Sequence, residues 1–425
     1  MTQNEKFFES KREWSHVKDD LLTCYLMPYF TKILATGKLI IYIDGFAGKG
    51  KFDDGLDGSP LLALKTFREA MKKSHHGNSQ EVTNYKMPLP MAKFYFIEKK
   101  EELVKSLNSN IQSFYNQHVD MDHKVISYTG KGNCWDKLES CLKSATNANV
   151  FLYMDPYGIK DYDFNIFSKL ASKKYYSFEY LCNYNTFGFF RAACSALNIS
   201  IKSNDSKYFS TYEEDSYKEC RSIQNLNRAY GSDDWQKIVK AYHKNELDGV
   251  QAEKKIAEGI QNNLRKYFKY VLNMPIRIKE GNVPKYRMFH VANKVDGCIL
   301  MAYNMQKRNE ELIYSVQGQQ EESLFGNDYV YSEQGNLIDI TEVQRLLKIE
   351  LAKVNSFIQY KDFLADFFTN YGIPCPLPEF NKIMKQLEKE KFILVEREPK
   401  QNNNGTASKF WSENNNHKIY IKIRK

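Results

Sequence analysis

Short apolar runs alternate with longer amphipathic segments along the first two thirds of the chain. Five of these runs have the length and the β-branched or aromatic content of buried strands. They cover residues 39–43, 94–98, 124–128, 150–154 and 176–184. The segments between them, and the one that precedes them (6–37), include stretches that repeat apolar residues at helical spacing. Strands that alternate with helices predict a parallel sheet covered by helices, which is a Rossmann-like α/β fold.

The first strand ends on an acidic residue and continues into a glycine-rich turn. Asp44 is followed by Gly45-Phe46-Ala47-Gly48-Lys49-Gly50, and Gly58-Ser59-Pro60 begins the next predicted helix, 61–72. Small residues let the backbone approach a ligand, and a helix N-terminus attracts anions. The spacing fits neither a P-loop nor the dinucleotide fingerprint. It favours an S-adenosylmethionine pocket, and the alternative is a turn that serves packing alone. The residues expected to contact the cofactor here are Asp44, Gly45, Phe46, Gly48, Gly50 and Ser59.

Polar residues also follow the next two strands. Glu98 ends the second strand, where a glutamate accepts hydrogen bonds from the ribose hydroxyls of a nucleoside. Asn133 follows the third strand, in the turn Gly130-Lys131-Gly132-Asn133, and we expect it to contact the adenine ring. The carboxyl ends of parallel strands meet at one edge of a sheet, so these residues belong to the same predicted pocket.

The fourth strand ends in Asp155-Pro156-Tyr157-Gly158. In amino-methyltransferases a tetrapeptide of this kind holds a planar amine: the carboxylate and a main-chain oxygen accept its hydrogens, and the aromatic ring stacks on the base. We therefore predict catalytic roles for Asp155, Pro156 and Tyr157, the alternative being a Pro-Gly turn with a caged aspartate. Lys18, in the predicted helix 6–37, is a candidate to reach a phosphate or a substrate, unless it is simply solvated.

The remainder of the predicted first domain, 1–310, is a helical insertion followed by a closing hairpin. The insertion, 198–250, is polar and has no strong apolar period, and a predicted helix covers 252–271. The segments 275–279 and 286–291 flank a Gly-Asn turn, which is a hairpin signal. Five strand–helix units closed by a hairpin are typical of class I methyltransferase sheets.

A linker, 311–335, separates this domain from a second one, 336–425. Three helices are predicted there, and the alternating segment 418–424 forms a hairpin with 392–396 across a polar tip. The predicted helices cover 341–354, 360–370 and 379–391. Helices followed by a basic hairpin suggest a winged helix, a module that binds duplex nucleic acid or docks onto protein.

Net charge, apolar runs and cysteine content limit the binding partners and the cellular compartment that we expect. The net charge of +9 on 425 residues permits a polyanionic partner without requiring one. No apolar run approaches the length of a membrane span, and the charged N-terminal segment lacks the apolar core of a signal peptide, so we expect a cytoplasmic protein. The eight cysteines are scattered without a Cys-x-x-Cys pair, which argues against a zinc site or a disulfide framework.

Several of these motifs resemble one family, the three-Cys-motif partner proteins of bacteria and phages. The similarity extends over most of residues 10–310, and the C-terminal helices and wing also resemble that family's tail. The matching segments are 44–52, 58–64, 96–98, 155–158 and 286–305. The family is named for pairing with a separate cysteine-motif protein, so the resemblance implies such a protein as a partner.

The glycine loop and the downstream Gly-Ser-Pro are also similar to those of ribosomal-RNA adenine methyltransferases. That resemblance implies S-adenosylmethionine as the cofactor and a target amine near Asp155, with Lys18 corresponding to a lysine of the family's N-terminal helix. The residues it places around the cofactor are Asp44, Gly48, Gly50 and Glu98. One departure is visible: the amine-methylating pattern is Asp-Pro-Pro-aromatic, whereas Tyr157 and Gly158 occupy the last two positions here.

Two functions follow from these observations. The first is an S-adenosylmethionine-dependent methyltransferase that acts on nucleic acid, RNA or DNA. The second is a catalytically divergent component of a mobile-element or phage-defence complex that binds nucleic acid or a partner protein. A dehydrogenase is a weaker interpretation because the glycine spacing differs from the dinucleotide fingerprint.

Overall fold

The computed structural model describes most of the chain and divides it into two compact units, 1–293 and 294–425. The described residues are 13–76, 90–156, 158–202, 205, 222–276, 284–317, 329–331, 337–402, 404–414 and 416–424. The division falls earlier in the chain than the predicted boundary at 310. Helix Val295–Gln317, which was not predicted from the sequence, belongs to the second unit.

A seven-stranded sheet is the centre of the first unit. Its strands are β1 (Ile40–Asp44), β2 (Ala92–Glu98), β3 (Val125–Lys131), β4 (Asn149–Met154), β5 (Ser177–Tyr184), β6 (Tyr270–Ile276) and β7 (Tyr286–Ala292). They lie in the order β3-β2-β1-β4-β5-β7-β6. The first five pair in parallel, and β7 runs antiparallel to both of its neighbours. This order, with an antiparallel seventh strand, confirms the predicted Rossmann-like methyltransferase sheet.

Helices cover the sheet, and two of them were not predicted. The first unit contains α1 (Glu13–Leu34), α2 (Ser59–His76), α3 (Glu101–Gln117), α4 (Cys134–Cys141), α5 (Ile166–Ser172), α6 (Thr186–Ala196), α7 (Ile223–Tyr230), α8 (Trp235–His243) and α9 (Gly249–Arg265). Helices α4 and α5 have eight and seven residues, too short for an apolar repeat to stand out in the sequence. On α1, a stripe of fully buried side chains that includes Leu22, Tyr25 and Leu26 accounts for its predicted amphipathic pattern.

The predicted insertion contains more apolar core than its composition suggested. Helices α7 and α8 bury Leu226, Trp235 and Tyr242 completely, although we found no strong apolar period in 198–250. Because α7 and α8 are short and separated by a turn, neither carries an apolar repeat long enough to be recognised in the sequence. The predicted helix 252–271 was also wrong at its C-terminal end: α9 ends at Arg265, and β6 takes the following apolar residues because they pair with β7.

The second unit combines helices with a small antiparallel sheet. Its elements are α10 (Val295–Gln317), β8 (Tyr329–Tyr331), β9 (Leu337–Asp339), α11 (Ile340–Leu351), β10 (Ile358–Gln359), α12 (Tyr360–Tyr371), α13 (Leu377–Lys389), β11 (Ile393–Glu398) and β12 (Lys418–Ile423). Strand β12 lies between β10 and β11, antiparallel to both. The three helices predicted in this region match α11, α12 and α13, with ends displaced by a few residues.

A partly buried ion pair joins the last helix of the second unit to β11 of its hairpin. The guanidinium of Arg397 on β11 donates two hydrogen bonds to Glu388 on α13, at 2.8 and 2.7 Å. The Trp411 indole N–H donates to the same carboxylate at 3.2 Å. These contacts hold α13 against the hairpin. Within the ranges given above, no helix combines the length and apolar content that a membrane crossing requires.

Candidate active site

The glycine loop follows a path that larger residues would block. Strand β1 is completely buried between β2 and β4, so it delivers the loop to the carboxyl edge of the sheet. A Cβ added to Gly45 would lie 2.4 Å from the sulfur of Met154 and 2.5 Å from that of Cys134. Gly48 and Gly50 adopt φ angles of 58° and 77°, in the left-handed region that favours glycine. The loop backbone thus lies closely against the strand ends.

Asp44 lies beneath this loop and is fully buried. Its carboxylate accepts hydrogen bonds from the Phe46 N–H at 3.1 Å and from the Ser59 hydroxyl at 2.6 Å. Burial raises the pKa of Asp44 to about 7, although the two hydrogen bonds oppose that shift. The nearby carboxylates of Asp155 and Glu98 raise this pKa further. A cation in the cleft would favour the ionised form.

Glu98 stands at the end of β2, beside the glycine loop. One carboxylate oxygen accepts the Gly48 N–H at 3.1 Å, and the other accepts the Lys100 N–H at 2.9 Å. These contacts fix the carboxylate at the cleft wall, and each oxygen has further acceptor capacity for hydroxyl donors.

One cleft of about 340 Å³ joins these elements. The predicted cofactor residues that line it are Gly45, Phe46, Gly48, Gly50, Ser59 and Glu98. Asp44 and Asn133 do not line it, although Gly45 beside Asp44 and Gly132 and Cys134 beside Asn133 do. The Asn133 side chain instead accepts the Trp135 N–H at 2.9 Å and caps α4, because an asparagine before a helix satisfies a free backbone N–H.

The opposite end of the cleft is built around Asp155, just beyond β4. One oxygen of its carboxylate accepts a hydrogen bond from Lys18 Nζ at 2.6 Å, and the other accepts one from the Asn183 amide at 2.7 Å. Lys18 is itself buried and lies 5.6 Å from the Tyr286 ring centroid. The structure thus brings Lys18 to Asp155 from 137 residues away. Pro156 follows, and Tyr157 lies outside the described residues.

Two residues at this edge were not predicted as site residues. Asn183 stands near the end of β5, and Asp161 lines the cleft within a short 3-10 helix, 159–161. The rule that selected Asp44 and Glu98, a polar side chain at the carboxyl end of a strand, would also have selected Asn183. Asp161 has no comparable sequence signal, because only the folded loop places it in the cleft.

Charge around the cleft is mixed, with more lysines than carboxylates. The lining lysines are Lys18, Lys49, Lys51, Lys99, Lys100 and Lys160, and the lining acids are Asp19, Glu98, Asp155 and Asp161. Among the described residues, no group of three or more His, Cys, Asp or Glu is arranged to hold a metal ion. No disulfide joins the cysteines within the same ranges.

Comparison with known sequences gave no match, either to a family model or to a curated protein. Comparison with solved structures gave several distant similarities. One is to the protein LPL1258 from Legionella pneumophila str. Philadelphia 1, at 10% identity and a TM-score of 0.29, covering 65% of this chain and 85% of that one.

Two further similarities are to methyltransferases. The plantazolicin methyltransferase BamL, solved with a desmethyl-plantazolicin analogue and S-adenosylhomocysteine, has 10% identity and a TM-score of 0.29 over 68% of this chain and 90% of its own. An arsenic(III) methyltransferase from Chlamydomonas reinhardtii has 10% identity and a TM-score of 0.25 over 60% and 62%. The fold assignment rests on this chain's own strand order, which is that of a class I methyltransferase sheet.

Proposed function

We propose that this protein is an S-adenosylmethionine-dependent methyltransferase that acts on an amine of a nucleic-acid base. The observation that carries the proposal is a single cleft with two different ends. One end contains the glycine loop and Glu98, with the buried Asp44 beneath the loop, and the other contains Asp155 with Lys18. A cofactor that donates a methyl group and an amine that accepts it need such adjacent sites.

The first end fits the cofactor by its chemistry. The Glu98 carboxylate accepts the ribose hydroxyls, and the glycine loop lets the backbone approach the ligand. Asp44 balances the positive charge of the methionine portion. S-adenosylmethionine supplies an electrophilic methyl group when bound. Everything else in the reaction depends on how the chain orients the acceptor.

The second end fits a planar amine. The Asp155 carboxylate and the Pro156 carbonyl accept its hydrogens, which turns the nitrogen lone pair toward the cofactor end. The nitrogen held there would accept the methyl group, and the proton that it gives up would pass to the Asp155 carboxylate, which already accepts its hydrogen bond. Lys18 balances the charge of Asp155 in the free protein and is placed to contact a substrate phosphate once an amine takes its position.

The nucleic-acid part of the proposal rests on charge and on the second unit. Among the described residues, six lysines line the cleft, which suits a substrate that carries phosphates. In the second unit, α11, β10, α12, α13, β11 and β12 follow one another in the order of a winged helix. Exposed Lys382, Lys385 and Lys389 recur on α13 at a spacing that places them on one face. This face and the adjoining hairpin suit duplex nucleic acid.

Methyl transfer tests the proposal directly. The purified protein is incubated with S-adenosylmethionine carrying a tritiated methyl group and, separately, with RNA and DNA in single- and double-stranded form. We expect label in one nucleic acid with the wild type and with the control variant Asp163→Ala, since Asp163 does not line the cleft. Asp155→Ala should lose the transfer and keep cofactor binding. Full transfer by Asp155→Ala would contradict the assigned site.

A second candidate function is a catalytically divergent component of a mobile-element or phage-defence complex in the cytoplasm. Both oxygens of Asp155 are already engaged by Lys18 and Asn183, which supports it. Its partner would be nucleic acid or the three-Cys-motif protein that the sequence resemblance implies. Retention of nucleic acid in a gel-shift assay by wild type and by Gly48→Arg, with no methyl transfer by either, would favour this function over the first.

A further inference from the structure

Asp161 is a buried carboxylate in the cleft to which neither the sequence motifs nor the proposed reaction gives a role. It ends the short 3-10 helix that follows the Asp155 segment, and its side chain is only 11% exposed. One carboxylate oxygen accepts a hydrogen bond from Lys99 Nζ at 2.5 Å. Within the described part of the chain, its other oxygen has no hydrogen-bond partner, so it is available to a donor from a ligand.

The position of Asp161 is fixed by residues from the end of β3. The Trp135 indole N–H donates to the Asp161 main-chain carbonyl at 2.6 Å. Trp135 is in turn set in place by the Asn133 side chain, which accepts its backbone N–H at the start of α4. We expected Asn133 to contact adenine. Its side chain instead positions Trp135, which in turn holds Asp161.

Asp161 also lies next to the nucleoside end of the cleft. Its ion-pair partner Lys99 follows Glu98 directly in the chain, and the Gly132 N–H donates to the Glu98 carbonyl at 3.0 Å. Lys99, Gly132 and Asp161 line the cleft together with Glu98. A ribose held by the Glu98 carboxylate would place its base among these residues, with the Asp161 carboxylate at the edge of the base.

We propose that the Asp161 carboxylate accepts a hydrogen bond from the 6-amino group of the cofactor's adenine and so selects adenine over other purines. This inference rests on the proposed function. Adenine presents a donor at position 6, whereas hypoxanthine presents an acceptor there. A carboxylate accepts hydrogen bonds but cannot donate one when ionised, so it matches adenine and repels the 6-oxo group.

The test compares S-adenosylhomocysteine with its deaminated analogue, S-inosylhomocysteine, by calorimetric titration of the full chain. We expect the wild type to bind the adenine form about 10- to 100-fold more tightly, the range for a charge-assisted hydrogen bond. Asp161→Asn should reduce this ratio to near one, because an amide both donates and accepts. Asp163→Asn is the same substitution two residues away, outside the cleft lining, and should keep the wild-type ratio.

The outcomes separate this inference from the proposed function. A wild-type ratio in Asp161→Asn would overturn the role of Asp161 and leave the cofactor assignment intact. The role of Asp161 would also be overturned, with the cofactor assignment intact, if the wild type binds both compounds equally and the Glu98→Gln variant no longer binds S-adenosylhomocysteine. Absence of binding of either compound to the wild type would overturn both proposals. A thermal melt of each variant confirms that it is folded before titration.

Discussion

The two ends of the cleft are built in different ways. At the end that we propose for the cofactor, called the cofactor end, one continuous stretch supplies Asp44, the glycine loop and Ser59, and backbone groups make most of the contacts. At the acceptor end, Lys18, Asp155 and Asn183 come from three distant segments and meet only through their side chains. Backbone geometry is set locally by glycines and strand ends, whereas the side-chain cluster requires α1, β4 and β5 to be correctly packed.

Because of this difference, we expect the two ends of the cleft to be sensitive to different substitutions. The cofactor end should respond to steric changes in its loop and to the charge of its two acids. The acceptor end should respond to loss of a single carboxylate without any change in how the nucleoside is held. Four changes test that separation, and the largest expected effect comes first.

Asp155→Ala removes the carboxylate that we assign to the acceptor amine. We expect the rate of methyl transfer to fall about 100- to 1000-fold, the range seen when a preorganised polar group is deleted. Affinity for S-adenosylhomocysteine, measured by calorimetry, should stay within about twofold of wild type because Asp155 does not hold the nucleoside. A comparable loss of cofactor affinity would mean that the two ends are not separate.

Glu98→Gln removes the charge that we propose binds the ribose hydroxyls. Loss of a charge-assisted hydrogen bond predicts a fall in cofactor affinity of about tenfold to a hundredfold. The control is Glu101→Gln, since Glu101 is exposed on α3, pairs with Lys131 and does not line the cleft. Equal affinities of the two variants in the same titration would argue against the ribose site.

Gly45→Ala tests the steric requirement of the loop. Its new Cβ would collide with the sulfurs of Met154 and Cys134, so we expect the free energy of unfolding to fall by about 1–3 kcal/mol and cofactor binding to weaken. Gly130→Ala is the matched control because an added Cβ there meets no atom within 4 Å. Chemical denaturation of both variants measures the difference, and similar midpoints would contradict the crowded packing around Gly45.

The pKa of Asp44, raised to about 7, predicts a pH dependence of cofactor binding. Only the ionised carboxylate attracts the positively charged cofactor, so affinity for S-adenosylmethionine should rise by up to about tenfold between pH 6 and pH 8. Asp44→Asn should bind more weakly and show little slope. Calorimetry in two buffers of different ionisation enthalpy should also show proton release near pH 7 for the wild type.

The same shift has the opposite consequence for stability. The folded protein holds the Asp44 proton more tightly than the unfolded chain does, so this residue's contribution to stability is complete below about pH 4 and is lost as the pH rises through 7. Urea denaturation across that range should show the free energy of unfolding falling less steeply in Asp44→Asn. A parallel slope in both proteins would indicate that Asp44 ionises normally.

Much of the cofactor end could be predicted from the sequence because its signals are local. An apolar run that ends in Asp44, a turn that needs glycine, and Glu98 at the next strand end each lie within a few residues of their cause. The parallel sheet with its closing hairpin could also be predicted, because strands and helices alternate regularly along the chain. The motif that begins at Asp155 could also be recognised in the sequence, because it directly follows a predicted strand.

The tertiary structure decided what these residues touch. No local pattern indicates that Lys18 pairs with Asp155, that Asn183 occupies its other oxygen, or that Asn133 turns away to cap α4 while Asp161 enters the cleft. These contacts depend on the packing of distant elements, whose apolar surfaces set the relative positions of the polar side chains that they carry. Sequence alone determined the fold class and the strand-end residues, because both depend on short-range periodicity and backbone conformation.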